Sequence, residues 1–201
     1  LTGGESDTKE IADIEQLLGI CYRDMENYPK AEEHFQHALG IYRGIYELDS
    51  AHLAIVNFLC LLGETYMDMT HYSKSEEYLK QALNMYRRIM GKDANTMNLG
   101  NILCLLGRNQ MEMQNWSQSE DYLLSALQVY RCLMEEDHDA TVIANTLNLL
   151  GKIRTKKHDH SVAAEYFEQA LSMHNRVKGF LHEGALFDEH ETQLYLHRCH
   201  T

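Results

Sequence analysis

The side chains in this sequence best suited to chemistry crowd its C-terminal end. His158, His160, His174, His182, His190, His197 and His200, together with Cys199, are imidazole and thiol groups of the kind that hold transition metals. A metal site needs several ligands converging at about 2.0–2.3 Å. No HExxH, CxxC or helical HxxxH pair occurs, so the spacing predicts no metal site. Acidic pairs recur at Glu32-Glu33, Glu76-Glu77 and Glu120-Asp121, and paired carboxylates are the raw material of general acid–base catalysis. Their regular placement suits a plainer role in the first turn of a helix, complementing the helix dipole. A Gly-rich phosphate loop and a nucleophile motif are both missing. The expectation is a non-catalytic chain with no cofactor and no metal.

A different chemistry is carried by amides. Asn57, Asn101 and Asn145 follow one another at a step of 44 residues. An amide side chain offers a donor and an acceptor together, so a ladder of them can clamp the backbone of an extended peptide without reading its sequence. The same residues equally suit helix-start caps or internally satisfied structural amides.

The 44-residue step extends well beyond the asparagines. Leu-Leu-Gly recurs at Leu17-Leu18-Gly19, Leu61-Leu62-Gly63, Leu105-Leu106-Gly107 and Leu149-Leu150-Gly151. Ala38-Leu39, Ala82-Leu83, Ala126-Leu127 and Ala170-Leu171 keep the same register, as do Tyr42, Tyr86 and Tyr130, followed by His174. A fixed period of this size marks a repeat architecture. Each repeat reads as two helices. In the second, Leu53, Val56, Leu59, Leu62, Tyr66 and Met69 recur at helical spacing over roughly Ala51 to Met69. A second helix follows with Tyr78, Leu79, Ala82, Leu83, Tyr86 and Ile89, ending near Gly91. Ser73-x-x-Glu76 and Ser117-x-x-Glu120 have the form of capping boxes, and Pro29 suits the first turn of the equivalent helix in repeat one. A glycine inside a helix costs about 1 kcal/mol relative to alanine. Its recurrence at Gly63 and equivalents therefore predicts a close helix–helix approach, with Ala82 facing it.

Composition agrees. The chain has 201 residues, 44% of them hydrophobic, and one proline, which fits long helices with short connections. The net charge of −12 argues against nucleic acid and against an anionic membrane as partners. It permits basic ones. Five cysteines, an odd number, read as free thiols in a reducing, cytoplasmic compartment. No signal-peptide pattern or apolar run near 20 residues is visible. The opening at Leu1 reads as a piece of a larger protein.

The repeat residues resemble the tetratricopeptide repeat. Leu18-Gly19-Tyr22-Ala31-Phe35-Ala38 and Leu62-Gly63-Tyr66-Ser75-Leu79-Ala82 match that family's pattern, while Gln110 and Arg154 replace its tyrosine in repeats three and four. The continuation of the second helix over Gln81 to Asp93 is similar to the long, kinesin-light-chain type of repeat. Glu136-Asp137-His138 and Ala144-Asn145-Thr146-Leu147-Asn148 echo the same type. The resemblance implies an all-α fold, an α-α superhelix or solenoid of four helical hairpins over approximately 8–50, 51–93, 94–137 and 138–178. A flexible N-terminus (1–7) and a C-terminal capping segment (179–201) flank it, the latter offering Leu186, Phe187, Leu194 and Leu196 to cover the last hairpin.

It also implies where a partner sits, namely on the concave side lined by the first helix of each hairpin. The candidate groove residues are Asn57, Cys60, Glu64 and Met67 in repeat two, Asn101, Cys104, Arg108 and Met111 in repeat three, and Asn145, Asn148 and Lys152 in repeat four. The methionines add soft apolar surface suited to adaptable binding, or pack as core. Asp13, Asp24, Glu64, Asp68 and Glu112 are acidic towards one end, and Arg108, Lys152, Lys156 and Lys157 basic towards the other. The two-carboxylate clamp of chaperone-binding members is not reproduced. The paired asparagine of kinesin light chains gives way to Cys60-Leu61 and Cys104-Leu105. The expected function is a protein-interaction scaffold that binds a peptide or protein segment, with homo-oligomerisation as the alternative.

Overall fold

The structure, a computed structural model, describes residues 3–45, 52–91, 94–133, 140–177 and 188–200. Among the described residues there are only helices, and they divide between two compact units. The first unit holds α1 (Gly3–Asp24), α2 (Tyr28–Ile45), α3 (Leu53–Asp68) and α4 (Tyr72–Met90). The second holds α5 (Met97–Glu112), α6 (Trp116–Leu133), α7 (Ala140–Lys156), α8 (His160–Val177) and α9 (Glu189–His200). Helix α1 starts inside the segment expected to be a flexible N-terminus. Leu186 and Phe187, two of the expected capping side chains, lie outside the described residues, as do Glu136, Asp137 and His138.

Consecutive helices pack as antiparallel hairpins, α1 with α2, α3 with α4, α5 with α6 and α7 with α8. One device makes all four turns. Glu26, Thr70, Gln114 and His158, each 44 residues after the last, adopt the left-handed conformation with φ of 57°, 60°, 60° and 60°. The next residue's N–H then donates to the carbonyl five residues back, as from His71 to the Tyr66 carbonyl at 2.8 Å and from Asp159 to the Arg154 carbonyl at 2.9 Å. This is a Schellman closure, which satisfies carbonyls that a helix end otherwise leaves unpaired. The chain re-enters a helix at once.

That tight closure corrects two expectations from sequence. The second helix of each hairpin starts at Tyr28, Tyr72, Trp116 or His160, ahead of the serines. Ser73 and Ser117 therefore lie within the first turn and are not N-caps. His71 holds the N-cap position of α4 and makes no side-chain capping hydrogen bond. For the same reason Glu32-Glu33, Glu76-Glu77 and Glu120-Asp121 fall beyond the first turn, which carries no acidic residue in α2, α4 or α6. Pro29 does lie in the first turn of α2, and Gly91 closes α4 with φ 88°. Side-chain caps occur instead at the starts of α3 and α5. His52 Nδ1 accepts from the Ala54 N–H, and Thr96 Oγ1 from the Leu99 N–H.

The repeated glycine is an approach point, though Leu79 fills the space rather than Ala82. A Cβ built on Gly63 would lie 2.7 Å from the Leu79 side chain, and one on Gly19 2.5 Å from the Phe35 ring. Around these contacts lie buried Phe35, Phe58, Leu62, Tyr66 and Tyr86 in the first unit, and Leu106, Leu123, Tyr130, Leu150 and Phe167 in the second. Burying each such side chain stabilises by about 1.5–3 kcal/mol. Within each unit, a second helix packs on the first helix of the next hairpin, α2 on α3 and α6 on α7. Helix α9 then covers α8, with the Tyr195 ring stacked on Phe167 at 5.6 Å.

Candidate partner-binding surface

In the first unit, α3 presents Asn57 exposed and Cys60 half-buried. Glu64 is half-buried and pairs with Arg23 of α1 at 2.5 Å, so its charge is compensated within the unit. Met67 is 7% exposed and belongs to the packed interior rather than the surface. Burial, reinforced by the Glu64 carboxylate, pushes the Cys60 thiol up to about 12. It is a packing thiol and a poor nucleophile. On α1, Asp13 accepts a hydrogen bond from the Tyr42 hydroxyl at 3.1 Å.

In the second unit the same link recurs, because Asn101 and Tyr130 hold the register of Asp13 and Tyr42. The Tyr130 hydroxyl donates to Asn101 Oδ1 at 2.8 Å. Asn101 is exposed, so the bond fixes its carbonyl end and leaves its NH2 as the end that can donate outward. Cys104 is half-buried, with its thiol raised by burial. Arg108 is exposed and Met111 half-buried. On α7, Asn145 is half-buried. Asn148 is 7% exposed and its Oδ1 has no hydrogen-bond partner among the described residues. Lys152 is engaged by α9, donating to Glu191 at 2.7 Å. Lys157 donates to Glu120 at 2.6 Å. Of the charged residues expected there, Glu64, Lys152 and Lys157 each have an internal partner, and Glu112, Arg108 and Lys156 are exposed.

Sequence reasoning missed the ion pairs that join one hairpin to the next. Glu120 of α6 binds Arg154 of α7 and Lys157 just beyond that helix. Glu32 of α2 accepts from the Tyr66 hydroxyl of α3 and pairs with Lys74 of α4 at 3.7 Å. The signal was present, since Arg154 departs from the repeat's tyrosine at the position that faces a carboxylate one hairpin back. Of the histidines near the end of the chain, His158 and His160 meet edge-on at 6.2 Å and buried His174 lies 3.8 Å from Glu189. Among the described residues no group of three or more His, Cys, Asp or Glu side chains is placed to hold a metal ion. Among them too, no helix is long and apolar enough to cross a membrane.

The sequence matches the family model described as tetratricopeptide repeat over residues 10–88 and 92–176. A search among curated proteins gives no match. Solved structures of similar fold include BtubC (BKLC) from P. vanneervenii, with TM-score 0.79 and 19% identity, covering 96% of this chain and 73% of that one. The TPR-like repeats of a protein assigned to the kinesin light chains of Podospora anserina superpose with TM-score 0.73 at 13% identity, over 96% of this chain and 86% of theirs. A Rap protein in complex with Competence and Sporulation Factor gives TM-score 0.66 at 20% identity, over 82% of this chain and 43% of that one. The Leu-Gly-Tyr register, the four identical turns and the family match lead to one assignment: this chain belongs to the tetratricopeptide repeat family.

Proposed function

We propose that this chain is a non-catalytic scaffold that holds an extended segment of a protein partner on the first helices of its hairpins. Tetratricopeptide repeats act generally as protein-interaction scaffolds and not as enzymes. The observation that carries the finer reading is Asn101. Its oxygen is occupied by the Tyr130 hydroxyl, and the residue is nonetheless exposed, so its NH2 is oriented for a partner's carbonyl. Exposed Asn57 in the first unit and half-buried Asn145 in the second hold the same register. A Rap protein of this fold complexed with Competence and Sporulation Factor supports the idea that such an array takes a ligand.

The test separates binding from packing. Asn57→Ala, Asn101→Ala and Asn145→Ala, singly and combined, are compared with Tyr130→Phe. The tyrosine change removes the same internal hydrogen bond, at about 1 kcal/mol, and leaves the Asn101 amide in place. Partner capture should fall in the asparagine variants and persist in Tyr130→Phe. Equal loss in both would assign Asn101 a structural role only.

A further inference from the structure

One residue in the asparagine register is not an amide. Asp13 of α1 stands 44 residues before Asn57, and Asn101 and Asn145 follow at the same step. Asp13 and Asn57 are both exposed. That exposure belongs to the position in the repeat, because Asn57 keeps it although α2 packs on α3.

A tyrosine fixes one end of the register side chain in each unit. The Tyr42 hydroxyl donates to Asp13 Oδ1 at 3.1 Å, as the Tyr130 hydroxyl donates to Asn101 Oδ1 at 2.8 Å. Tyr42 is itself held in the packed interior, with its ring 5.4 Å from Phe58. With one oxygen occupied, each register residue offers a partner its other polar atom. For Asn101 that is an NH2, a donor. For Asp13 it is Oδ2, an acceptor that shares the carboxylate's negative charge. The register therefore reverses its chemistry at Asp13.

Charge decides which donor fits. A segment laid over Asp13 strips water from a carboxylate. An amide loses little by being covered, because a backbone group replaces the water. A carboxylate covered by a neutral N–H keeps an uncompensated charge in a drier place, and a cation removes that cost. The chain supplies no such cation. Among the described residues no ion pair reaches Asp13, and Arg23, further along α1, is held by Glu64 at 2.5 Å. The net charge of −12 adds a general attraction for a basic segment.

We infer that Asp13 is the specificity-determining residue of the partner-binding surface and takes a lysine or arginine side chain of the bound segment. The inference rests on the register being the partner's contact line, as proposed above. The amides at Asn57, Asn101 and Asn145 hold backbone of any sequence. Asp13 adds one position at which the sequence is read, and so selects which segments are held.

A phage-displayed library of random linear peptides tests this on the full chain. Gly-Ser flanks keep a free amino terminus out of the random segment. Selection runs in parallel on the unaltered chain and on Asp13→Asn. That variant keeps an oxygen for Tyr42, as Asn101 does for Tyr130, and its Tm should be nearly unchanged. Peptides selected on the unaltered chain should carry lysine or arginine at one fixed position, and those selected on Asp13→Asn should not. In a fluorescein-labelled copy of a selected peptide, replacing that lysine or arginine by methionine should weaken binding to the unaltered chain by about tenfold and to Asp13→Asn hardly at all. A basic preference that survives Asp13→Asn overturns the inference and leaves the proposed surface standing. So does the lack of any such preference in peptides whose binding Asn57→Ala abolishes. Peptides indifferent to both Asn57→Ala and Asn101→Ala, or no selected peptide at all, would overturn the inference together with the proposed surface.

Discussion

Arg154 of α7 pairs with Glu120 of α6 in the same register in which Tyr66 of α3 meets Glu32 of α2. Both glutamates lie in the second turn of a hairpin's second helix, and both partners lie on the first helix of the following hairpin. The contact is one solution to one problem, which is how to join stacked hairpins through a buried polar atom. A phenol solves it once and a guanidinium once. Glu120 is almost fully buried and takes Lys157 as a second cation. Glu120→Gln should therefore cost about 1–3 kcal/mol in urea denaturation, because two cations then face a neutral amide. Arg154→Met should cost less, since Lys157 still compensates the carboxylate. An Arg154→Met cost equal to or above that of Glu120→Gln would contradict this ordering.

Gly63→Ala should destabilise although alanine is the better helix former. The propensity gain is about 1 kcal/mol, but the new methyl would sit 2.7 Å from Leu79, and forcing extra volume into a packed contact costs about 1–3 kcal/mol. Coupling to Leu79→Ala is the check. That change alone opens a cavity worth about 2–5 kcal/mol. The double variant should be more stable than the sum of the two single losses predicts.

Thr70→Gly should stabilise. Thr70 has φ 60°, in the left-handed region that a β-branched side chain disfavours. Replacing it with glycine relieves about 1 kcal/mol of that strain, less the entropy glycine adds to the unfolded chain. A rise in Tm is expected, and an unchanged or lower Tm would show that the Thr70 side chain earns its place by contacts.

Much of the fold was legible because each hairpin carries its own markers. Leu-Leu-Gly, Ala-Leu and the tyrosines sit at fixed offsets, and any helix of that periodicity must bury the same face. The turns were legible in position but not in mechanism. Glu26, Thr70, Gln114 and His158 share a conformation and no side-chain type, because the Schellman hydrogen bonds are made by the backbone. Serine spacing therefore pointed to caps that the backbone had already made unnecessary. The candidate surface was the least legible part. Asn148 is chemically surface-like yet buried, and Met67, whose type suits surface or core alike, packs in the core, while Lys152 is engaged by Glu191 of a helix that lies outside the repeat and so has no register.

Cys60 should resist alkylation. Its thiol is pushed up to about 12, chiefly by burial. At pH 8 only about one molecule in ten thousand is then the reactive thiolate. Exposed Cys21 and Cys132 should be labelled first by iodoacetamide under native conditions, with Cys60 modified only on unfolding. Mass spectrometry of the timed digest reads the order, and early labelling of Cys60 would mean that α3 opens locally.

Glu15 gives the first hairpin an acid-sensitive clasp. Its carboxylate bridges His34 at 2.6 Å and His37 at 2.9 Å, tying α1 to α2. The hydrogen bond from His34, with a further contribution from His37, holds its carboxyl below the ordinary value of 4.5 despite partial burial. A carboxyl lowered on folding stabilises the native state at every pH above its unfolded value, and that contribution disappears as pH falls through the folded value. Glu15→Gln should accordingly lower stability by at most about 1 kcal/mol near neutrality. The gap between the two proteins should stay open down to about pH 4.5 and close below it. Urea titrations from pH 3 to 7 measure that gap, and a difference that is flat across the range, or that widens in acid, would show that Glu15 acts through packing and not through its charge.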